Sequence, residues 1–405
     1  MTNYNKKFTM KFNLAYKIFR YLVNAMWAIP LVLSSRLLYP WILIRFGAAE
    51  SRRIGHFIPD TLEELILLQR QNQKSLTFWS TSGISNIQWY KMVKDYIYIH
   101  PIYKYPVFWN KYIPKSDRHI ALGSENSGRD IKGKFFFNLV KPKMSDSDTR
   151  KSVAWLKSIG WSGEPIICLL SRDETYLLEN DRMYNDTKDR SYHDYRNCEI
   201  QTFKSATQFL TERGYWVFRM GTKTKEKLEI AHKNFLDYSF TDNKSALLDI
   251  YLFSNCAGVI STGTGIDQLS FAYGIPGLIV NGIPLALANT FHNVIFYPKN
   301  LVWSQSNINL SIKEYLENNF ASTNEYTTAG IKIKNLSDHE ILLATIEFVD
   351  RIEGHSKYDS EDLFLQEKFL KLLSKSRDYS KNHNFIHPKF KIAKEWIFNM
   401  KDNFI

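Results

Sequence analysis

Residues Ser261 to Asp267 read STGTGID, two glycines and three hydroxyl side chains in one short turn. Gly263 and Gly265 permit tight turning and close approach of a ligand. Ser261, Thr262 and Thr264 offer hydroxyl donors, and the helix that follows the turn would present free N–H groups to an anion. A pyrophosphate suits such a turn. The pattern is not G-x-G-x-x-G, because position 268 is Gln, and it lacks the GK[ST] of a P-loop, so dinucleotide binding and ATP hydrolysis lose ground. Arg172 and Asp173 follow the apolar run IICLL, and Arg219 follows WVF shortly before Gly221. An arginine at such a strand end can grip phosphate oxygens with two N–H groups, whereas a surface ion pair between Arg172 and Asp173 is the plainer alternative.

Two further clusters could move protons. SYHDYRN, Ser191 to Asn197, gathers His193, Asp194 and Arg196, which either position a substrate hydroxyl and a leaving phosphate or form a solvated loop with an Asn cap. RIGHF places His56 where an imidazole could serve as general base. The ten histidines show no H-E-x-x-H spacing, the nucleotide half has no D-x-D, and Cys168, Cys198 and Cys256 stand apart without C-x-x-C spacing. That pattern argues against a dedicated metal or another cofactor and fits a reducing, cytosolic-facing compartment.

These residues need strand ends to hold them. From Glu164 the chain alternates cleanly: a buried strand over 165–170, a helix capped by Asn197 and stopped at Gly214, the strand YWVFRMG, a helix in DNKSALLDIYLFSN, the strand AGVIST, a helix after the glycine turn, and the strand PGLIVNG. Strands alternating with helices imply a parallel sheet, with the carboxyl ends near 170, 220 and 262 on one edge. Ahead of this, Asp60 or Thr61 can cap a helix, and SLTFWST and DYIYIHPIY read as strands of a first α/β half. Two such halves in 405 residues suggest two Rossmann-like domains facing a cleft.

The charge is concentrated at one end. Of the net +12, residues 1–53 carry +8, nine Lys or Arg against Glu50 alone, which disfavours nucleic acid as the partner of the remaining chain. Between Arg20 and Arg45 the apolar runs are 15 and 8 residues long, split by Arg36 and interrupted by Pro30 and Pro40. A span needs about 20 apolar residues. The expectation is a helical segment lying in the interface of an anionic membrane, with a buried hairpin or a true span through Arg36 as alternatives.

Taken together, RIGHF, CLLSRD, HDYRN, GYWVFRMG and LLDIYLFSNCAGVISTGTGIDQLSFAYGIPGLIVN resemble a family of bacterial glycosyltransferases, over residues 45 to 300. CLLSRD followed by SNCAGVISTGTG is also similar to the nucleotide half of GDP-fucose-type fucosyltransferases and, more distantly, of heptosyltransferases. The resemblance implies a GT-B-like α/β architecture and metal-independent transfer of a hexosyl or deoxyhexosyl group from a nucleotide sugar to a hydroxyl of a lipid-linked or surface-glycan acceptor. Such an enzyme would serve polysaccharide biosynthesis, peripheral on the inner face of the cell membrane. Where the fucosyltransferases carry H-x-R-R-G-D this chain has L-S-R-D, so the donor stays open among GDP, UDP and ADP sugars.

The expected divisions are a basic amphipathic segment 1–46, an acceptor domain 47–160, a nucleotide-sugar domain 161–300 and a helical extension 301–405. Donor binding falls to Arg172, Arg219, Gly221, Ser261, Thr262, Gly263, Thr264, Gly265 and Asp267, with His56, Asp173, His193 and Arg196 as catalytic candidates. A hydrolysing nucleotide-sugar epimerase and a non-catalytic, membrane-peripheral nucleotide- or carbohydrate-binding protein are the competing readings.

Overall fold

A computed structural model describes residues 2–70, 72–121, 123, 128–138, 140–175 and 191–405, with side chains from Ala15 onward. The chain divides into two compact units, Met1–Ser127 and Gly128–Ile405. In the first, β1 (Ile42–Ala48), β2 (Lys74–Ser80), β3 (Ile97–Ile99) and β4 (Ile120–Ala121) form a parallel sheet in the order β3-β2-β1-β4. The run ILIRFGA is therefore a central strand. Ile44 and Phe46 are buried, and Arg45 is buried between Glu64 and Thr77. This overturns the division at residue 46, because an apolar run flanked by strands on both sides reads like a membrane segment.

Helix α1 (Thr2–Leu37) runs unbroken through Pro30, and Pro40 falls in the turn that leads to β1. Helix α2 (Ile54–Arg70) starts well before the expected caps, so Asp60 and Thr61 are buried inside it and Thr61 Oγ1 donates to the carbonyl of Phe57.

The second unit carries β5 (Ile166–Leu170), β6 (Trp216–Arg219), β7 (Phe235–Leu236), β8 (Gly258–Ser261), β9 (Gly277–Gly282) and β10 (Val294–Pro298). Strands β11 (Asn300–Trp303) and β12 (Ile331–Lys334) pair antiparallel as a separate ribbon, and β13 (Lys391–Ile392) closes the sheet edge beside β10. The seven-stranded sheet is parallel throughout, in the order β7-β6-β5-β8-β9-β10-β13. The chain builds outward from β5 through β6 and β7, then returns to β5's other side with β8. This is the Rossmann-like doubly wound order, and its switch point lies between β5 and β8.

The central strands read as continuous apolar runs because both faces are covered. Phe203, Leu210 and Phe348 are among the side chains that cover them. Two of the flanking helices start on clear caps: Ser245 accepts from the Leu248 N–H, and Ser337 with Glu340 forms a capping box at the helix Asp338–Ile352. Asn197 is not a cap. Its side chain donates to Asp194 (3.0 Å), and the next helix begins as a 3₁₀ turn, Ile200–Phe203, leading into Lys204–Glu212. Residues 128–160 belong to this second unit rather than to an amino-terminal domain ending at 160. The stretch 301–405 is likewise no helical appendage, since β13 lies in the main sheet and Trp396 and Phe404 join its core.

Candidate anion-binding site

At the switch point the backbone N–H of Arg172, two residues past β5, donates to Thr262 Oγ1, one residue past β8 (3.0 Å). That bond ties the two diverging strand ends together. Beyond it the glycine turn organises itself around Asp267. Ser261 Oγ donates to Asp267 Oδ2 (2.7 Å) and accepts from the Gly263 N–H (3.1 Å), while the Thr264 N–H donates to the same carboxylate oxygen (2.7 Å). Asp267 is fully buried, and desolvation pushes its carboxyl up to about 6 against the pull of these hydrogen bonds. The amides at 263 and 264 and the Ser261 hydroxyl are therefore bonded within the turn, so Ser261 is not the open hydroxyl donor expected from the sequence. Gly263 has φ +78°, a left-handed backbone that favours glycine; Gly265 is exposed.

What the edge does present is cationic. Arg196, at the end of the 3₁₀ turn Ser191–Arg196, donates Nη2 to the carbonyl of Gly263 (2.9 Å). Lys299, directly after β10, is 2% exposed and donates Nζ to the carbonyl of Asn197 (2.7 Å). The Cys198 N–H donates to the Arg172 carbonyl (2.9 Å), which ties the backbone just past β5 to the backbone just before Ile200. Burial pulls the Arg172 guanidinium down to about 10, with Arg196 adding to the effect. Lys299 is lowered by burial and, beyond an opposing contribution from Cys198, by Arg196 and Arg172.

Three cations thus repel one another in a partly dehydrated place, and among the described residues none of them forms an ion pair. Arg172 Nε and Thr264 Oγ1 are buried polar atoms with no hydrogen-bond partner among the described residues. Buried donors of this kind are uncommon unless something binds them. The arrangement suits a multiply charged anion with several acceptor oxygens.

The other expected residues have different duties. Arg219 is 1% exposed and points inward: Nη1 bonds Asp237 (3.2 Å), Thr224 (2.8 Å) and Ser239 (2.5 Å). It is a structural cation, not a donor ligand. Gly221 has φ +148°, and a Cβ there would lie 2.8 Å from Thr224 Cγ2, so its role is to let that loop fold over Arg219. Asp173 accepts from the backbone N–H of Thr175 (2.9 Å) and of Lys225 (2.8 Å), one on each oxygen, which makes it a loop clasp.

His193 packs its ring against Tyr192 at 3.9 Å in the turn that ends with Arg196. His56 sits in the first turn of α2, in the other unit, where burial, followed by Arg53, lowers its imidazole against a smaller opposing pull from Glu50. Lys299 escaped the sequence reading because YPKN resembles an exposed turn; only the sheet order brings it beside residues a hundred positions earlier. Among the described residues no group of three or more His, Cys, Asp or Glu side chains could hold a metal ion.

No protein-family description and no curated protein matches the chain. Among solved structures, the S. aureus MnaA–UDP co-structure is similar at 10% identity and a TM-score of 0.25, over 95% of this chain and 82% of that one.

Proposed function

We propose that the carboxyl edge of the large sheet binds the diphosphate of a nucleotide-sugar donor, and that the protein is a GT-B-like glycosyltransferase. The observation that carries this reading is the trio Arg172, Arg196 and Lys299, gathered at the switch point of a doubly wound sheet with no ion pair to any of the three among the described residues. Such an edge is where open α/β sheets place their ligands. Fixed cations there oppose the charge that grows on a diphosphate as a sugar departs, so the protein's own side chains supply the counter-charge. The acceptor hydroxyl belongs to a glycan or lipid-linked sugar.

The test is calorimetry with UDP, GDP and ADP on the wild type and on Arg172→Ala, Arg172→Lys and Lys299→Met. Loss of one charge-assisted bond is worth about 1.5–3 kcal/mol, so affinity for the preferred diphosphate should fall about tenfold to a hundredfold. Arg172→Lys should fall nearly as far, because it keeps the charge and loses the fork. Unchanged binding in all three variants would sink the assignment. Sugar release that depends on an added glycan acceptor marks a transferase; release at the same rate without acceptor marks a hydrolase and overturns the transfer step.

A further inference from the structure

The feature that the anion site leaves unexplained is the outer face of α1. Its inner face is docked on its own unit: Ala28, Val32 and Ser35 are buried, and Tyr21 and Trp27 meet the ring of Tyr105 edge-on at 5.1 and 6.2 Å. Arg36 is tied down as well, with Nη2 donating to Asn110 Oδ1 (2.6 Å) and Nε to the carbonyl of Pro114 (3.0 Å). A helix resting on a folded unit normally turns polar residues outward. Here Phe19, Leu22, Val23, Met26, Leu33 and Leu37 are all exposed, Met26 by 82%, at the three- and four-residue spacing of a single face. The eighteen steps from Phe19 to Leu37, at about 1.5 Å each, make this stripe about 27 Å long.

We propose that α1 lies flat on an anionic lipid surface and buries this stripe among the headgroups and upper acyl chains. By length and composition alone Ala15–Leu37 could also cross a bilayer. The docking just described gives the helix one free side only, and a crossing helix must be surrounded. Charge selects lipid over a second copy of the chain. No Asp or Glu precedes Glu50 in the sequence. Lys17 and Arg20 are exposed beside the start of the stripe, and Lys111, Lys115 and Arg118 are exposed on the segment that Arg36 holds against its end. A symmetric dimer would set these like charges against one another, whereas an anionic surface neutralises them. Trp41 and Tyr112, each 68% exposed, supply the amphipathic rings that favour the headgroup region.

The experiment is flotation of the full chain with vesicles of phosphatidylcholine, alone or mixed with phosphatidylglycerol. Binding should favour the anionic vesicles by about tenfold or more, and molar salt should weaken it without abolishing it. The triple variant Leu22→Glu, Met26→Glu, Leu33→Glu alters exposed positions only; it should keep the wild-type circular dichroism and lose the vesicles. Quenching of tryptophan fluorescence by lipids brominated along their chains, diminished in Trp41→Phe, reads insertion even if the triple variant does not fold.

Four results would overturn the proposal. These are no flotation of the wild type with either vesicle, equal flotation of a folded triple variant, resistance of the bound wild type to alkaline extraction, and a lipid-free dimer that the triple variant converts to monomer.

Discussion

Arg172 and Arg219 stand at the ends of adjacent strands and do opposite things, because one has a buried carboxylate waiting and the other does not. Asp237 comes 18 residues after Arg219 and closes a buried ion pair with it. Removing one partner of such a pair strands the other charge, so Arg219→Met should lower stability by about 3–5 kcal/mol in urea titration. Binding of a diphosphate by the fraction still folded should be unchanged. In the sequence these two arginines are indistinguishable, since each closes an apolar run; only the fold says where the side chain points.

Asp267 adds a pH signature. Between its ordinary value of 3.8 and about 6, the folded protein keeps a proton that the unfolded chain has released. Stability therefore falls as pH rises through that window and levels off above it, by about 3 kcal/mol in all. Asp267→Asn should remove this slope from thermal melts taken between pH 4 and 7. Asp249, also pushed up to about 6 by burial, contributes equally to both proteins and cancels in the difference.

At the scale of elements, the glycine turn depends on how β8 is seated. A Cβ on Gly258 would lie 2.6 Å from Phe348 Cζ, so the helix Asp338–Ile352 rests its ring directly on that strand's backbone. Gly258→Ala should cost about 1–3 kcal/mol by overpacking and loosen the turn that β8 carries, read as a lower urea midpoint. Strands β5, β6, β8 and β9 of the second unit were legible because runs such as IICLL and GLIV, punctuated by Gly and Pro, have few alternative readings. Strands β1, β4 and β7 and all four from β10 to β13 were not. ILIRFGA has the composition of a membrane segment until β2 and β4 are seen on either side of it, and β13 is only two residues long and gains its identity from β10. The turn at 261–267 was found as a motif, yet its self-bonding through Asp267 was invisible, because hydrogen-bond partners are not a property of spacing.

For the whole molecule, the large core falls entirely between Ile167 and Phe404, inside the second unit. A fragment comprising residues 128–405 should accordingly unfold in one cooperative urea transition and bind the diphosphate about as tightly as the full chain, within the roughly 1 kcal/mol scatter of such comparisons. A fragment that is molten, with no near-ultraviolet dichroism, would show that the core needs the first unit.

The place of β13 also has a consequence in time. The first unit is complete at residue 127, whereas the edge strand that finishes the large sheet arrives about 260 residues later, at Lys391. At a synthesis rate of roughly 5–20 residues per second, the interval is tens of seconds. During it the nascent chain already displays the apolar stripe of α1, while the strand ends that gather Arg172, Arg196 and Lys299 still await their last neighbour. On the proposed readings of α1 and of the cation cluster, a ribosome making this protein exposes the lipid-facing stripe before it completes the ligand site, and the order of translation would set attachment ahead of ligand binding.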